Sequence, residues 1–109
     1  MINDKHTQAL QEFEICLYEK RFYDAHEALE EIWFPRRFED NNEIKLLKGF
    51  INASVCFELI KKQRLHASNK VWKNYIKYRP LLYKIDSPYL NTYHKLTRHV
   101  EKIYINKII

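Results

Sequence analysis

The run Ala25-His26-Glu27-Ala28-Leu29-Glu30-Glu31-Ile32-Trp33 gathers an imidazole and three carboxylates within six residues. On a helix, His26 and Glu30 form an i, i+4 pair close enough to hydrogen-bond. That spacing admits three chemistries. One is a divalent metal held by an imidazole and one or two carboxylates, His26, Glu30 and Glu27 being the ligand candidates. Another is an acid–base pair in which the carboxylate fixes the imidazole tautomer. The third is a structural hydrogen bond that satisfies a half-buried polar group. The run lacks the second imidazole of a zincin helix. Bundle di-metal sites draw Glu-x-x-His motifs from two helices, and the chain has no second copy. None of His6, His66, His94 and His99 has a carboxylate at a helical spacing that completes a set.

A helical wheel separates the residues of this run. Phe22, Ala25, Leu29, Ile32 and Trp33 fall within about 100° of arc, the width of a buried face. His26 lies on its edge with Glu30 beside it, Glu27 is further round, and Glu31 points to solvent. On the third helical segment, Glu58 falls among Ile44, Leu47, Ile51 and Val55. A carboxylate buried there needs a partner such as His26, a tyrosine or an arginine. Trp33 and Trp72, at core spacing, read as packing residues.

These side chains require helices to position them, and the sequence reads as all-α, a single compact bundle of about five helices forming one domain over 1–109. The first helix spans about 4–19, with Leu10, Phe13 and Leu17 inward. The second runs from Tyr23 to Trp33 and is stopped by Pro35. A polar loop from Arg36 to Asn42 follows, and Asn41 or Asn42 caps a third helix reaching about Lys62. Ile44, Leu47, Phe50, Ile51, Val55, Phe57 and Leu59 cover most of its circumference, which marks it as central. The fourth helix, about His66–Tyr78, puts Ala67, Val71, Tyr75 and Tyr78 inward and Lys70, Lys73 and Lys77 outward, ending before Pro80. Asp86-Ser87-Pro88 opens a fifth reaching about Asn106, with Tyr93, Leu96, Val100 and Ile103 inward.

With one glycine among 109 residues, hairpin-rich architectures are excluded for want of turn residues. No apolar run is long enough to span a bilayer, and the N-terminus lacks the basic-then-apolar order of a signal peptide, so a cytoplasmic protein without a membrane partner is expected. Cys16 and Cys56 lie apart from each other and read as reduced core residues. Charge is unevenly spread: residues 1–60 carry 7 basic and 12 acidic side chains, net −5, and residues 61–109 carry 12 and 2, net +10. A polyanion such as nucleic acid, or an acidic partner, would suit the basic half. Halves that complement each other within a monomer or across a homodimer would suit it equally, and the codon bias of an A+T-rich genome, which enriches lysine, would produce the same profile.

The segment Phe22-Tyr23-x-Ala25-His26-Glu27-x-Leu29-Glu30-x-x-Trp33, followed by Leu47-Lys48-Gly49-Phe50-Ile51-Asn52, resembles the small helical proteins of domain-of-unknown-function family 309. The resemblance covers about residues 8–80. It implies a multi-helical bundle and a predicted metal-dependent hydrolase of no established reaction. Its matching positions are His26, Glu27, Glu30, Trp33 and Gly49. Asn52 stands where the family usually has glutamine, Gln63-Arg64 and Ala67-Ser68 where it has glycine-containing turns, and Leu59 where many members carry a second imidazole.

The leading expectation is therefore a helical bundle in which His26, Glu27 and Glu30, with Asn52 and Glu58, form a polar cluster between helices two and three, beside Trp33 and Gly49. Its role is structural or ligand-binding. A metal-dependent hydrolase using His26, Glu27 and Glu30, with a divalent metal as its cofactor, is the second reading. The third is an interaction module on the basic surface of Lys70, Lys73 and Lys77.

Overall fold

The computed structural model describes residues 4–106, starting at Asp4. Its carboxylate accepts a hydrogen bond from the Thr7 amide at 2.7 Å and so caps α1 (Lys5–Tyr18). The helices that follow are α2 (Phe22–Trp33), α3 (Asn42–Lys61), α4 (Leu65–Tyr78) and α5 (Leu90–Asn106). No strand occurs among the described residues. The Asn41 side chain caps α3 by accepting from the Glu43 and Ile44 amides at 2.8 and 3.2 Å.

The turns α1–α2 and α3–α4 share one construction. After α1, the Arg21 amide reaches back to the Cys16 carbonyl at 2.8 Å and Lys20 to Leu17 at 3.2 Å. After α3, Arg64 reaches Leu59 at 2.8 Å and Gln63 reaches Ile60 at 2.9 Å. Both are Schellman closures, whose penultimate residue must be left-handed. With no glycine available, Lys20 (φ 59°) and Gln63 (φ 60°) take that conformation, at about 1–2 kcal/mol each.

Both prolines predicted to stop helices do so without expelling the chain from helical space. Phe34 and Arg79, each followed by proline, keep right-handed helical angles, and short 3-10 turns follow at Phe34–Arg36 and Arg79–Lys84. Proline forbids the i→i−4 bond at its own nitrogen, and the tighter turn dispenses with it.

α3 is the central helix, as its apolar circumference predicts. Phe50 is fully buried, its ring centroid 6.1 Å from that of Phe13 on α1, 6.2 Å from Tyr75 on α4 and 6.1 Å from Tyr93 on α5. Gly49 permits the close approach of α4, since a Cβ there would stand 3.0 Å from the Cβ of Tyr78. Cys16 and Cys56 are both buried in the core, and burial pushes the Cys16 thiol up to about 11, where it is a poor nucleophile.

Two placements differ from the sequence reading. On α4 the inner face is turned: Ser68 and Tyr75 are buried, whereas Ala67, Val71 and Tyr78 are only half-buried. Trp72 drives this, packing its ring against Tyr75 at 4.6 Å and stacking on Tyr104 of α5 at 3.8 Å. Ser68 tolerates burial because its hydroxyl donates to the Leu65 carbonyl at 2.7 Å. Glu58 is half-buried rather than enclosed, because it borders an open cleft between α2 and α3.

Candidate functional site

α2 presents the candidate site because its packing leaves one edge uncovered. Phe22, Ala25, Leu29 and Ile32 are buried, which fixes the rotation of the helix and sets His26 at the boundary between core and solvent. His26 Nε2 lies 3.2 Å from Glu30 Oε1, and the imidazole meets the Tyr23 ring edge-on at 5.6 Å. Glu27 is exposed and adjoins them. One ligand atom from each of His26, Glu27 and Glu30 falls within 4.8 Å of the other two. Glu31, the fourth charged member of the run, is exposed and outside this group.

Beside His26 a cleft of about 180 Å³ separates α2 from α3. Phe22, Tyr23 and His26 form one wall, and Val55, Glu58 and Leu59 the other. Glu58 thus joins His26 in one recess. Leu59, at the position where the family resemblance implies an imidazole, also borders it, so a histidine there would face His26.

The remaining sequence candidates have other partners. The Asn52 amide donates to the Lys48 carbonyl at 2.7 Å and accepts from Asn74 of α4 at 3.2 Å, away from His26. Trp33 is half-buried near the Lys48 ammonium, which lies 5.9 Å from the Trp33 ring centre and 5.9 Å from that of Tyr78. Trp33 and Gly49 therefore serve the junction of α2, α3 and α4. Lys70, Lys73 and Lys77 are all exposed on the outer face of α4.

Two polar clusters escaped the sequence reading. Glu43, in the first turn of α3, accepts at Oε2 from Tyr93 at 2.5 Å and from Ser87 at 2.9 Å, with His6 Nε2 2.8 Å from the same tyrosine oxygen. Glu101 accepts from Tyr75 at 2.8 Å and pairs with Arg79. Burial and the adjoining carboxylate hold both tyrosine hydroxyls well above their ordinary range, so they remain donors. The signal available was a tyrosine on an otherwise apolar stripe, whose hydroxyl must find a partner when buried. The identity of that partner, across 50 residues for Tyr93 and 26 for Tyr75, is set by tertiary packing.

An Ala-His-Glu-x-Leu-Glu-x-x-Trp helix packed against a glycine-bearing central helix defines a small α-helical class. The family described as Domain of unknown function (DUF309) matches residues 10–71, more than half of the chain, and the protein belongs to it. No curated protein and no solved structure matches the chain. The matched region holds His26, Glu27, Glu30, Trp33 and Gly49 and stops within α4.

Proposed function

We propose that the exposed edge of α2 is a divalent-cation site, with His26 Nε2 and carboxylate oxygens of Glu27 and Glu30 as its three protein ligands. The observation that carries this reading is their convergence within 4.8 Å. Metal–ligand bonds of roughly 2.0–2.2 Å separate the ligands of one ion by about 3–4 Å. Rotation of Glu27, an exposed side chain, closes the remaining gap at little cost. Helical spacing brings Glu27 beside Glu30 at i, i+3, so the three ligands stand together without any change of backbone. The donor set, one imidazole and two carboxylates, suits Zn²⁺, Mn²⁺ or Fe²⁺. When bound, such an ion supplies Lewis acidity or a water activated near neutral pH. The chain's own contribution is to orient the imidazole through its edge-on contact with Tyr23, while His26 Nε2 and Glu30 would exchange their mutual contact for the ion. Leu59 offers no fourth ligand, so binding is expected to be weak for a structural site.

Calorimetric titration of the full chain with Zn²⁺ and Mn²⁺ should show one site that His26→Ala abolishes. Absence of heat with either ion, in protein shown to be folded, would leave the pair as a structural hydrogen bond.

A second reading has one observation in its favour. Lys70, Lys73 and Lys77 repeat along the exposed face of α4, and none forms an ion pair among the described residues. A polyanion would find cations there uncommitted to carboxylates, although Lys77 lies over the Tyr78 ring, 5.2 Å from its centre. Gel mobility of RNA and DNA at low salt, compared with a triple Lys→Glu variant, tests it, and unshifted bands would remove it.

A further inference from the structure

A second cavity shares no residue with the α2 site. It is a groove of about 360 Å³ between α1 and α5, within the size range of small-molecule pockets. Its floor is apolar, made by Leu17 and Ile103, both buried. Tyr18 forms one flank: the residue is 69% exposed and its ring lies tilted against the His99 imidazole, 4.4 Å between centroids. An exposed aromatic beside an apolar floor is a surface that water solvates poorly.

Charge at the rim is one-sided. Lys20, Lys95, Arg98 and Lys102 line the groove with a single carboxylate, Glu14, which pairs with Lys95 at 3.1 Å. No ion pair engages Lys20, Arg98 or Lys102 among the described residues. Cations around a low-dielectric floor focus a positive potential into the groove. The half-buried His99 imidazole completes this wall of the groove beside Tyr18.

We propose that this groove binds a small organic anion with an apolar body, the body resting on Leu17, Ile103 and the Tyr18 ring and the anionic head held by Arg98 and Lys102. The concave apolar floor favours such a ligand over nucleic acid, which tracks extended cationic surface. The ligand's head is a phosphate or a carboxylate. The test separates the two.

The experiment titrates the full chain with 1-naphthyl phosphate and with decanoate, using inorganic phosphate and 1-naphthalenemethanol as probes that carry only the head or only the body. The proposal expects one saturable site for at least one of the two amphiphiles, with shifts in the Tyr18 and His99 ring resonances. Inorganic phosphate and the neutral alcohol should each bind at least about tenfold more weakly, a difference of about 1.4 kcal/mol. Arg98→Gln combined with Lys102→Gln, both exposed positions, should weaken binding at least tenfold in protein of unchanged circular dichroism. His26→Ala should leave it intact, which separates this site from the α2 cleft. Neither amphiphile saturating at millimolar concentration would overturn the proposal. So would head or body alone binding as tightly as the whole probe, or full binding by the double variant.

Discussion

The Tyr93 hydroxyl donates to Glu43 Oε2 at 2.5 Å, joining α5 to the first turn of α3. Ser87 donates to the same oxygen at 2.9 Å, and its Oγ also accepts from the Tyr89 amide at 3.1 Å. One carboxylate thus fixes both the entry to α5 and its inner face. Tyr93 itself is fully buried.

Tyr93→Phe keeps the ring in the core and removes only the hydroxyl. It should destabilise the protein by about 1.5–3 kcal/mol, the range for a hydrogen bond to a charged group. For a domain of this size that lowers Tm by roughly 4–8 °C per kcal/mol. Chemical denaturation of the two proteins checks it, and an unchanged midpoint would show that Ser87 alone satisfies Glu43.

His6 extends the same cluster and gives it a pH dependence. Its ring stacks on Tyr89 at 4.1 Å, and its Nε2 approaches the Tyr93 hydroxyl at 2.8 Å. Burial lowers the His6 pKa, and Arg36 adds to the lowering, outweighing the opposing pull of Glu43 and Asp4. The unfolded chain therefore takes up this proton first. Stability from His6 is fully present above its unfolded pKa, near 6.5. It is lost progressively as pH falls from there towards the lower native value. His99, lowered chiefly by burial, has the same sign. Asp4, Glu39 and Asp40, whose pKa values are lowered by hydrogen bonds, lose their contribution only in more acid solution. The decline in denaturation midpoint between pH 7 and 5 should be shallower in His6→Gln than in the parent, and parallel curves would remove His6 as a cause.

How much of this was legible in the sequence depends on whether the determinant was local. The rotation of α2 follows from Phe22, Ala25, Leu29 and Ile32 alone, so the edge position of His26 and its pairing with Glu30 could be read directly. The Asn41 cap and the two proline stops are also local. Asn52 could not be placed, because its helical phase does not tell which neighbouring helix α3 turns it towards, and its partner Asn74 lies 22 residues on. The inner face of α4 was legible at Tyr75, but the burial of Ser68 was not, because a periodic count gives no weight to a small polar residue that hydrogen-bonds within its own helix. The groove between α1 and α5 joins residues from opposite ends of the chain, and neither helix alone shows that Tyr18 meets His99.

The two helical hairpins carry a shared strain. Lys20 and Gln63 hold a left-handed conformation that glycine adopts without a Cβ penalty. Lys20→Gly and Gln63→Gly should each raise stability by about 0.5–1 kcal/mol, the relief exceeding the added freedom of the unfolded chain. Glu19 and Lys62, one residue earlier, have φ of −87° and −88° and gain nothing from glycine. Glycine at either should be neutral or destabilising. Thermal melts of the four variants provide the comparison, and equal effects at adjacent positions would show that left-handed strain is not what limits these turns.

Glu27 and Glu31 offer a controlled test of the α2 site, because they are the same residue type on the same helix, both exposed, and only Glu27 joins the ligand group. A general electrostatic attraction of cations to α2 would be weakened equally by neutralising either. A coordinated ion loses a ligand only with Glu27. Glu27→Gln should therefore weaken Zn²⁺ binding at least tenfold, about 1.4 kcal/mol or more, while Glu31→Gln changes it less than twofold. The Zn²⁺-dependent rise in Tm, which follows mass action for a ligand that binds only the folded state, reports the same contrast without a calorimeter. Equal losses in the two variants would mean that the convergence of His26, Glu27 and Glu30 holds no ion in place, only a diffuse cloud of counter-charge.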